Sequence, residues 1–437
     1  MIIRNYKKIN TSVPRQDALE IIKSAYGALN IEKLIKERVK LIAKNKLCIS
    51  DLSCEKIINL DDYKKVFLIG FGKGSYLVVS KISDIIGSRI STALALDVKN
   101  SCYPQKINKK VRVLWGSHPK PSLANVRATQ KIISVLKSAS EKDLVIFFVG
   151  GGGSSLLCGS KKEFSDSKSI FDQLTKKGIK ISELNIIRKH LSEVKGGGLA
   201  KIAFPAHQIS LIVSDVCGND LAIIASGPTI YDKTTSKDAK KIIEKYLGRS
   251  ASTTKLSEDL LETPKEKGLF ENSKYFLLAC NEDGALAMKK TATSLGYKSS
   301  VIDLAVQDNA LSVFDKPLSK IKNGECLIMA GETTVNISGS GIGGRNQHSC
   351  LSQIAKGKIK EGILISSFAS DCFDNTSFAG AIVDCLTIKE SKKLNLNSVA
   401  FLKNCDSYSF FHIVGDYLLV DKKSFNVSDF MLVLKQK

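Results

Sequence analysis

Short apolar runs that end near a glycine or an aspartate alternate with helical patterns through the first two thirds of the chain. The runs are KKVFLIG (64–70), DLVIFFVG (143–150), HQISLIVSD (207–215) and SKYFLLACN (273–281). Helix-like spacing follows the first and the last of them, in GSYLVVSKISDII and EDGALAMKKTATSLG. Continuously apolar strands alternating with helices are typical of a mostly parallel sheet covered on both faces, so the pattern predicts an α/β fold.

Apolar residues at helical spacing over 16–48 predict that the chain opens with two helices. Residues 231–270 are polar, lysine-rich and helical in pattern, and we place the domain junction there. The second half contains ECLIMAGETTVNISG (325–339), GILISSFASD (362–371) and NVSDFMLVL (426–434), and alternation near Val335 and Ile337 predicts a half-exposed strand. We predict two α/β domains with mostly parallel sheets and a cleft between them: a larger Rossmann-like or flavodoxin-like domain at 1–250 and a smaller one at 270–437.

Length and composition agree with this division, because 437 residues exceed the size of one ordinary hydrophobic core. Neither a signal-peptide core nor a run of about 18 apolar residues is visible, and the 11 cysteines are scattered without zinc spacing. We therefore expect a cytoplasmic enzyme with reduced thiols and no membrane partner. Nothing in the sequence indicates an oligomeric state.

The formal charge of +22 raises the alternative of nucleic-acid binding. The lysines occur as dispersed pairs, such as 64–65 and 176–177, without interleaved aromatic residues or a known nucleic-acid motif. We expect a solvated lysine-rich surface that attracts anionic metabolites, and no nucleic-acid partner.

Four consecutive glycines at 150–153 directly follow a predicted buried strand and precede Ser154 and Ser155. Without Cβ atoms, such a turn allows backbone N–H groups to converge on an anion such as a phosphate; a tightly packed structural turn is the alternative. The turn GFGKGS (70–75) matches neither the Walker A loop nor the dinucleotide pattern G-x-G-x-x-G. It leaves Lys73 either as a cation for a phosphoryl group or carboxylate or as a surface lysine.

Polar residues cluster at two further turns, NIIRKHLSEVKGGGLA (185–200) and SDVCGNDLAIIASGPT (214–229). Arg188 and Lys195 are candidates for an anionic ligand, whereas His190 alone would be a structural histidine and Asp215 alone a helix cap. In the second half, a glycine-rich segment at 339–344 leads to Arg345, whose guanidinium can bind a carboxylate or phosphate bidentately.

The segment ASDCFDN (369–375) then offers Asp371 and Asp374, which suit a metal or the deprotonation of a hydroxyl. Turns stabilised by the aspartate side chains are the alternative.

Together these segments resemble the type II glycerate kinases, whose C-terminal half is called the MOFRL domain. The resemblance covers most of the chain and rests on blocks in the family's order: GFGKGS, GSHPKPS, FFVGGGGSSLL, NIIRKHLSEVKGGGLA, SDVCGNDLAIIASGPT, GETTVNISGSGIGGRNQ, SDCFDNTSFAGAIVD and NVSDF. It implies transfer of the γ-phosphoryl group of ATP to D-glycerate with Mg²⁺, most often giving 2-phosphoglycerate.

The resemblance also implies roles for individual residues. Those implied to be catalytic are Lys73, Arg345 and Asp371, with Asp371 activating the hydroxyl or organising the metal. Nucleotide binding is implied for Gly150, Gly151, Gly152, Gly153, Ser154, Ser155, Lys195, Gly196 and Asp215. Substrate binding is implied for Lys73, Arg188, Arg345 and Asn346, and metal binding for Asp371 and Asp215.

Four segments depart from the family pattern, and one of them is VDKKSF (420–425), which replaces a glycine- and threonine-rich turn near the end. The usual T-D-G-x-D-G reads SDCFDN, with Cys372 and Asn375 in place of glycines; if those positions require positive φ, Asn375 tolerates it and Cys372 is strained. Gly198 stands where a basic residue is common, and VCGNDL replaces V-P-G-D-D-L. Two alternatives therefore accompany the kinase: a hydroxypyruvate reductase, disfavoured by the missing dinucleotide pattern, and a relative that binds ligands without catalysis.

Overall fold

The computed structural model describes residues 2–99, 108–248, 251–421 and 425–436. The chain divides into two compact units. The parallel-sheet unit comprises Ile35–Ser214 and Asp220–Leu278, and the mixed-sheet unit comprises Met1–Leu34, Asp215–Asn219 and Ala279–Lys437. Among the described residues, no helix has both the length and the hydropathy needed to cross a membrane.

The strands are β1 (Val39–Ala43), β2 (Lys46–Ser50), β3 (Glu55–Asn59), β4 (Lys65–Phe71), β5 (Ile90–Val98), β6 (Val111–Gly116), β7 (Asp143–Val149), β8 (His207–Val213), β9 (Ser273–Ala279), β10 (Lys298–Val306), β11 (Glu325–Gly331), β12 (Ile363–Ala369), β13 (Gly380–Val383), β14 (Tyr417–Leu418) and β15 (Asp429–Lys435).

The α-helices are α1 (Tyr6–Ile9), α2 (Val13–Ala28), α3 (Ile31–Arg38), α4 (Ser75–Ile86), α5 (Leu123–Leu136), α6 (Gly153–Leu156), α7 (Lys161–Lys176), α8 (Ile181–His190), α9 (Gly198–Ala203), α10 (Ser236–Leu247), α11 (Ala251–Glu258), α12 (Asn281–Ser294), α13 (Asp315–Lys320), α14 (Arg345–Ala355), α15 (Cys385–Lys393), α16 (Ser398–Lys403) and α17 (Ser407–Val414). Short 3₁₀ turns span Leu60–Asp62, Gly87–Arg89, Cys217–Asn219, Ile224–Ser226 and Lys267–Phe270.

The parallel-sheet unit is built on a six-stranded sheet in the order β6-β5-β4-β7-β8-β9. The pairs from β6 to β8 are parallel, and every residue of β7 is buried, as the continuous apolar run DLVIFFV predicts. The predicted α/β fold with a parallel sheet is confirmed for this unit. Because β4 and β7 are parallel neighbours, the turns that follow them lie at the same edge of the sheet.

The mixed-sheet unit has the strand order β10-β11-β15-β12-β13-β14. Its β10 and β11 are parallel, whereas the other four neighbouring pairs are antiparallel, so the prediction of a mostly parallel sheet is wrong for this unit. The C-terminal strand β15 inserts between β11 and β12 and runs antiparallel to both. Moreover, the ten-residue connection between β12 and β13 is shorter than a parallel crossover usually requires.

Helices α1 and α2 belong to the mixed-sheet unit, which differs from the predicted N-terminal domain at 1–250. Arg15, on α2, is 3% exposed and forms ion pairs with Asp384 and Asp416, at 2.7 and 2.8 Å. The two predicted helices are present as α2 and α3, but the helical prediction is wrong from Val39, where β1 begins. The five-residue segment VKLIA fits either a helix or a strand by its pattern, and pairing of β1 with β2 decides between them.

Candidate active site

Two glycine-rich turns meet at the edge of the parallel sheet. Gly72 has φ +118°, and a Cβ atom there would lie 2.5 Å from the carbonyl oxygen of Gly150. The Lys73 amide donates to the Gly151 carbonyl at 2.9 Å, and the Gly150 amide donates to Phe71 at 2.9 Å. Glycine at position 72 therefore allows the turn that carries Lys73 to lie directly on the glycine run.

The Lys73 side chain is exposed and runs along this glycine run. A Cβ atom on Gly152 would lie 3.4 Å from Lys73 Cε and 2.9 Å from His118 Cδ2. Burial and, secondarily, the charge of Lys73 lower the pKa of His118 to about 4. The His118 imidazole beside Gly152 is thus uncharged at neutral pH.

Two backbone amides beside Lys73 have no hydrogen-bond acceptor among the residues that the structure describes. In the described part of the chain, neither Gly151 nor Gly152 donates its N–H to another group. Adjacent unpaired amides together with an ammonium group form the kind of concave, electropositive turn that binds phosphates or carboxylates. The structure therefore places Gly151, Gly152 and Lys73 together as a candidate anion site.

The N-terminus of α4, next to this turn, is already occupied by a carboxylate. Asp97, at the end of β5, accepts hydrogen bonds from the amides of Gly74 and Tyr76 at 3.1 and 2.9 Å. A Walker-type or dinucleotide-type phosphate would need those helix amides. GFGKGS matches neither phosphate-binding motif, and in the structure the helix amides that such a phosphate would need donate to Asp97 instead.

A hydroxyl chain links the glycine run to α8. Ser154 Oγ lies 2.7 Å from Ser226 Oγ, which donates to Asn185 Oδ1 at 2.6 Å. Arg188 lies one turn after Asn185, with its guanidinium 4.9 Å from the centre of the Phe171 ring. Burial lowers the pKa of Arg188, and no carboxylate pairs with it among the described side chains. It remains a candidate for an anionic ligand.

Other predicted residues of this unit lie inside the fold. Lys195 is 4% exposed, donates to the Leu157 carbonyl at 2.9 Å and pairs with Glu163. The Gly196 amide donates to the Ser226 carbonyl. Lys195 and Gly196 were expected to bind the nucleotide, whereas here their polar groups hold neighbouring segments together. His190 is fully buried and lies within hydrogen-bonding distance of the Leu261 carbonyl and Thr234, as expected of a structural histidine.

Asp215, a predicted nucleotide and metal ligand, follows β8 by two residues and is partly buried. It lies in the segment Asp215–Asn219, which groups with the mixed-sheet unit.

In the mixed-sheet unit, Arg345 is the first residue of α14 and follows a glycine-rich loop. The predicted strand at 325–339 is too long, because β11 ends at Gly331, where φ is +150° and a Cβ atom would lie 2.2 Å from the Val306 carbonyl. Ile337 therefore lies in the loop and is 81% exposed. At Gly344 a Cβ atom would lie 2.0 Å from the Asp374 carbonyl oxygen, so this loop can approach Asp374 only with glycine at position 344.

Asp374 caps α14 from outside the helix. One of its carboxylate oxygens accepts from the Asn346 amide at 3.0 Å, and the other accepts from the Gln347 amide at 2.8 Å. The side-chain amides of Asn346 and Gln347 also donate to it. Burial raises the pKa of Asp374, while these hydrogen bonds act in the opposite direction. Its carboxylate is thus committed to the fold, as is Asn346, which is 1% exposed and also accepts from Ser367.

The Arg345 guanidinium binds two carboxylates. Its Nε donates to Asp429 at 2.5 Å and its Nη2 donates to Glu332 at 2.9 Å. Burial raises the pKa of Asp429 to about 7, even though the charge of Arg345 lowers it. Neither Glu332 nor Asp429 is among the predicted site residues, although Glu332 directly follows the apolar strand β11 and Asp429 begins the apolar strand β15.

A pocket of about 550 Å³ opens beside this cluster and is lined by Arg345, Asp371 and Asp429. Asp371 accepts from the Phe373 amide at 3.2 Å. The two substituted glycine positions of SDCFDN both have positive φ: Cys372 at +72° and Asn375 at +54°. Asn375 donates from Nδ2 to the Gly343 carbonyl at 3.0 Å, so the altered loop still contacts the arginine-bearing loop.

Metal binding was predicted at Asp371 and Asp215. The described residues contain no group of three or more histidine, cysteine, aspartate or glutamate side chains placed to hold a metal ion. Mg²⁺ commonly takes only one or two carboxylates and completes its shell with phosphates and water. Asp371, at the pocket, fits such a partial donor set.

Comparisons with known proteins agree along nearly the whole chain. A family model described as a domain of unknown function, DUF4147, matches residues 17–260, and the MOFRL family model matches residues 325–429. A D-glycerate 2-kinase of Thermotoga maritima is 31% identical over 95% of this chain and 97% of its own. A glycerate 2-kinase of Picrophilus torridus is 32% identical over 99% of both chains.

Two further comparisons concern the fold and the alternative activity. The crystal structure of a glycerate kinase from Thermotoga maritima superposes with a TM-score of 0.82 at 29% identity, covering 96% of this chain and 99% of that one. A candidate hydroxypyruvate reductase of Agrobacterium vitis is 32% identical over 74% of this chain and 77% of its own.

Proposed function

This chain belongs to the type II glycerate kinase family, which joins a DUF4147 region to a MOFRL region, and we propose that it transfers the γ-phosphoryl group of ATP to D-glycerate to give 2-phosphoglycerate. The observation that carries the proposal is the likeness to glycerate 2-kinases, which extends in sequence and in fold over more than nine tenths of the chain.

The anion site of the parallel-sheet unit supports nucleotide binding. Phosphoryl transfer requires mainly positioning and positive charge around the phosphate oxygens. The unpaired amides of Gly151 and Gly152 and the exposed ammonium of Lys73 supply both. We assign phosphate oxygens to these three groups. The guanidinium of Arg188, which pairs with no carboxylate among the described side chains, is assigned to a further anionic group of the ligands.

The pocket of the mixed-sheet unit supports binding of a small hydroxy acid. We assign the D-glycerate carboxylate to Arg345, whose planar guanidinium can bind it bidentately. Asp371 lies in the same pocket and is assigned either to accept the proton of the reacting hydroxyl or to hold Mg²⁺ by one oxygen. When bound, Mg²⁺ would neutralise charge on the phosphate oxygens.

The reductase alternative is less well supported by the geometry. A nicotinamide dinucleotide bound in the usual way places its pyrophosphate at the N-terminus of the first helix after the sheet's central strand. That position, at α4, is taken by the Asp97 carboxylate, which would repel the pyrophosphate. Oxidation of NADH or NADPH by hydroxypyruvate with the purified protein would overturn the kinase assignment.

A coupled assay of ADP release tests the kinase directly, with ATP, Mg²⁺ and a panel of small hydroxy acids. We expect release that depends on D-glycerate, and a loss on the order of a hundredfold in kcat/KM for Lys73→Ala and for Arg345→Ala. Lys65→Ala removes the same charge at the opposite end of β4 and should retain wild-type activity. Absence of D-glycerate-dependent release from the wild type would refute the proposal.

The product identity is a separate measurement. Phosphorus and proton NMR of the reaction mixture distinguish 2-phosphoglycerate from 3-phosphoglycerate by the carbon that bears the phosphate. A cytoplasmic location is also part of the proposal; it is supported by the cysteines of the described residues, which are all free thiols, as in a reducing compartment.

A further inference from the structure

The two carboxylates that hold Arg345 differ in how firmly they are themselves held. Asp429 is the first residue of β15 and lies between Gly331 on β11 and Ala369 on β12 in the sheet register. Its side chain is 3% exposed. Glu332 lies just after β11, and its side chain is 36% exposed. Asp429 is therefore fixed by the sheet, whereas the longer Glu332 side chain can rotate into solvent.

The contacts of Arg345 leave donors on one side of the guanidinium. Of its five N–H groups, Nε–H is used by Asp429 and one Nη2–H by Glu332. The remaining donors are those of Nη1 and the second Nη2–H. An incoming carboxylate can bind bidentately across Nη1 and Nη2, and Glu332 is the protein group that competes for Nη2.

Charge makes simultaneous binding of all three carboxylates unfavourable. Asp429 and Glu332 together carry more negative charge than the single guanidinium neutralises, and Asp371 adds a further carboxylate to the same pocket. Donors remain for a ligand carboxylate, but the repulsion between the carboxylates is least when the ligand displaces one of the two partners. Separating an exposed ion pair costs little, whereas leaving a buried carboxylate without its partner costs much more.

We propose that Glu332 is a displaceable internal ligand of Arg345 and that Asp429 is its fixed anchor, so that a substrate carboxylate replaces Glu332 on Nη2 while Asp429 keeps Nε in place. Both are positioning residues that act through Arg345. The inference rests on the proposed function only in naming D-glycerate as the source of the carboxylate.

Steady-state kinetics separate the two roles. Removing the competitor in Glu332→Gln should lower KM for D-glycerate roughly twofold to fivefold, the range expected for an exposed ion pair, with kcat little changed. Removing the anchor in Asp429→Asn should instead lower kcat on the order of tenfold to a hundredfold, because Arg345 is then misplaced. Glu325→Gln is the matched control, since it makes the same change at the other end of β11.

Chemical labelling of Arg345 with phenylglyoxal gives a readout that needs no catalysis. This reagent modifies accessible guanidinium groups, and peptide mass spectrometry follows the rate at Arg345. We expect labelling roughly twofold to fivefold faster in Glu332→Gln than in the wild type or Glu325→Gln. D-Glycerate should slow it in all three.

The outcomes distinguish this inference from the proposed function. If the wild type does not phosphorylate D-glycerate but Glu332→Gln alone labels faster, the kinase assignment fails and the displaceable pairing stands. If the wild type is a glycerate kinase but Glu332→Gln changes neither KM nor labelling, the pairing is wrong. Should Asp429→Asn fail to fold, as judged by thermal unfolding, the two Glu332→Gln measurements still decide.

Discussion

Cys372 has a backbone conformation that is poorly suited to a residue with a side chain. Its φ of +72° lies in the left-handed region, which costs a residue with a Cβ atom about 1–2 kcal/mol. The side chain is 2% exposed, with Sγ 3.6 Å from the Asp421 carbonyl. Asn375, at φ +54°, tolerates the same region better. The substituted glycine positions thus retain the backbone that glycine would favour.

This strain predicts that glycine is more stable than alanine at position 372, the reverse of the order expected within a helix. Both Cys372→Ala and Cys372→Gly remove the buried thiol, but only glycine relieves the left-handed strain, so Cys372→Gly should be the more stable of the two by about 1 kcal/mol. Urea unfolding of the two variants measures the difference. Cys350, buried within α14, is the matched control, because there glycine should be less stable than alanine by about 1 kcal/mol. If the glycine variant were more stable than the alanine variant at both positions, or less stable at both, the explanation would be contradicted.

Side-chain direction separates the predicted site residues that face a ligand site from those that do not. Lys73 and Lys195 both lie beside glycine turns in the sequence, yet Lys73 is exposed and Lys195 pairs with Glu163 in the interior. Asn346 adjoins Arg345 but points at Asp374. Residue type and neighbouring glycines identify candidates for ligand binding, whereas partners that are distant in sequence determine what each side chain binds.

At the scale of elements, two helices that begin after glycine-rich turns are capped by carboxylates from other segments. Asp97 accepts from amides at the start of α4, and Asp374 accepts from amides at the start of α14. These amides are therefore unavailable to a phosphate. The turn at Gly151 and Gly152 is the part of the parallel sheet's edge where we place the anion instead.

The cap on α14 should support both stability and catalysis. Asp374→Ala would leave the backbone amides of Asn346 and Gln347 and the buried Asn346 side-chain amide without this acceptor, at a cost of about 2 kcal/mol or more in the free energy of unfolding. Because Arg345 begins this helix, activity should fall as well. Asp303→Ala removes the same charge from an exposed position in the same unit and should change neither. Equal unfolding free energies for the two variants in urea would argue against the capping role.

Sequence periodicity predicted the buried strands of the parallel sheet well and the ends of other elements poorly. A long continuous apolar run such as β7 predicts a buried strand, because both faces of such a strand are buried. The segment at β1 is short and mostly exposed, and β11 stops at Gly331, where the backbone of Val306 leaves no room for a side chain. Contacts of this kind are not encoded in the local pattern.

At the scale of the whole molecule, the beginning of the chain is part of the same unit as its end. The guanidinium of Arg15 on α2 makes bidentate contacts with both Asp384 and Asp416, which lie 369 and 401 residues later. Asp384 also caps α15 through the amides of Leu386 and Thr387. One buried arginine thus ties α2 to the C-terminal half of the sequence.

Replacing Arg15 should destabilise the protein in a pH-dependent way. Burial alone would raise the pKa of Asp384, but the hydrogen bonds and charge of Arg15 outweigh burial and hold that pKa below its ordinary value. Arg15→Met leaves two buried carboxylates unpaired, a loss of roughly 3–5 kcal/mol at neutral pH. The stabilisation from Asp384 is complete above the ordinary aspartate pKa of about 3.9 and is lost as the pH falls below it.

The stability gap between wild type and Arg15→Met should therefore be constant near pH 6–7 and narrow below about pH 4. Urea unfolding across this range measures it. Arg4→Met, which removes an exposed pair 3.9 Å from Asp421, is the control and should cost less than about 1 kcal/mol. A gap that widens on acidification would show that the Arg15 pairs are not the cause.

The sequence by itself determined the α/β class, the parallel sheet that contains β4 and β7, the positions of the glycine turns and the family. These properties follow from local composition and spacing, and from motifs that keep their order along the chain. Only the tertiary structure decided the antiparallel insertion of β15, the inclusion of residues 1–34 in the mixed-sheet unit, and the pairing of Arg345 with Asp429 and Glu332. Each of these depends on contacts between residues far apart in sequence, and the free energy of such contacts comes from burial and charge pairing that local patterns do not specify.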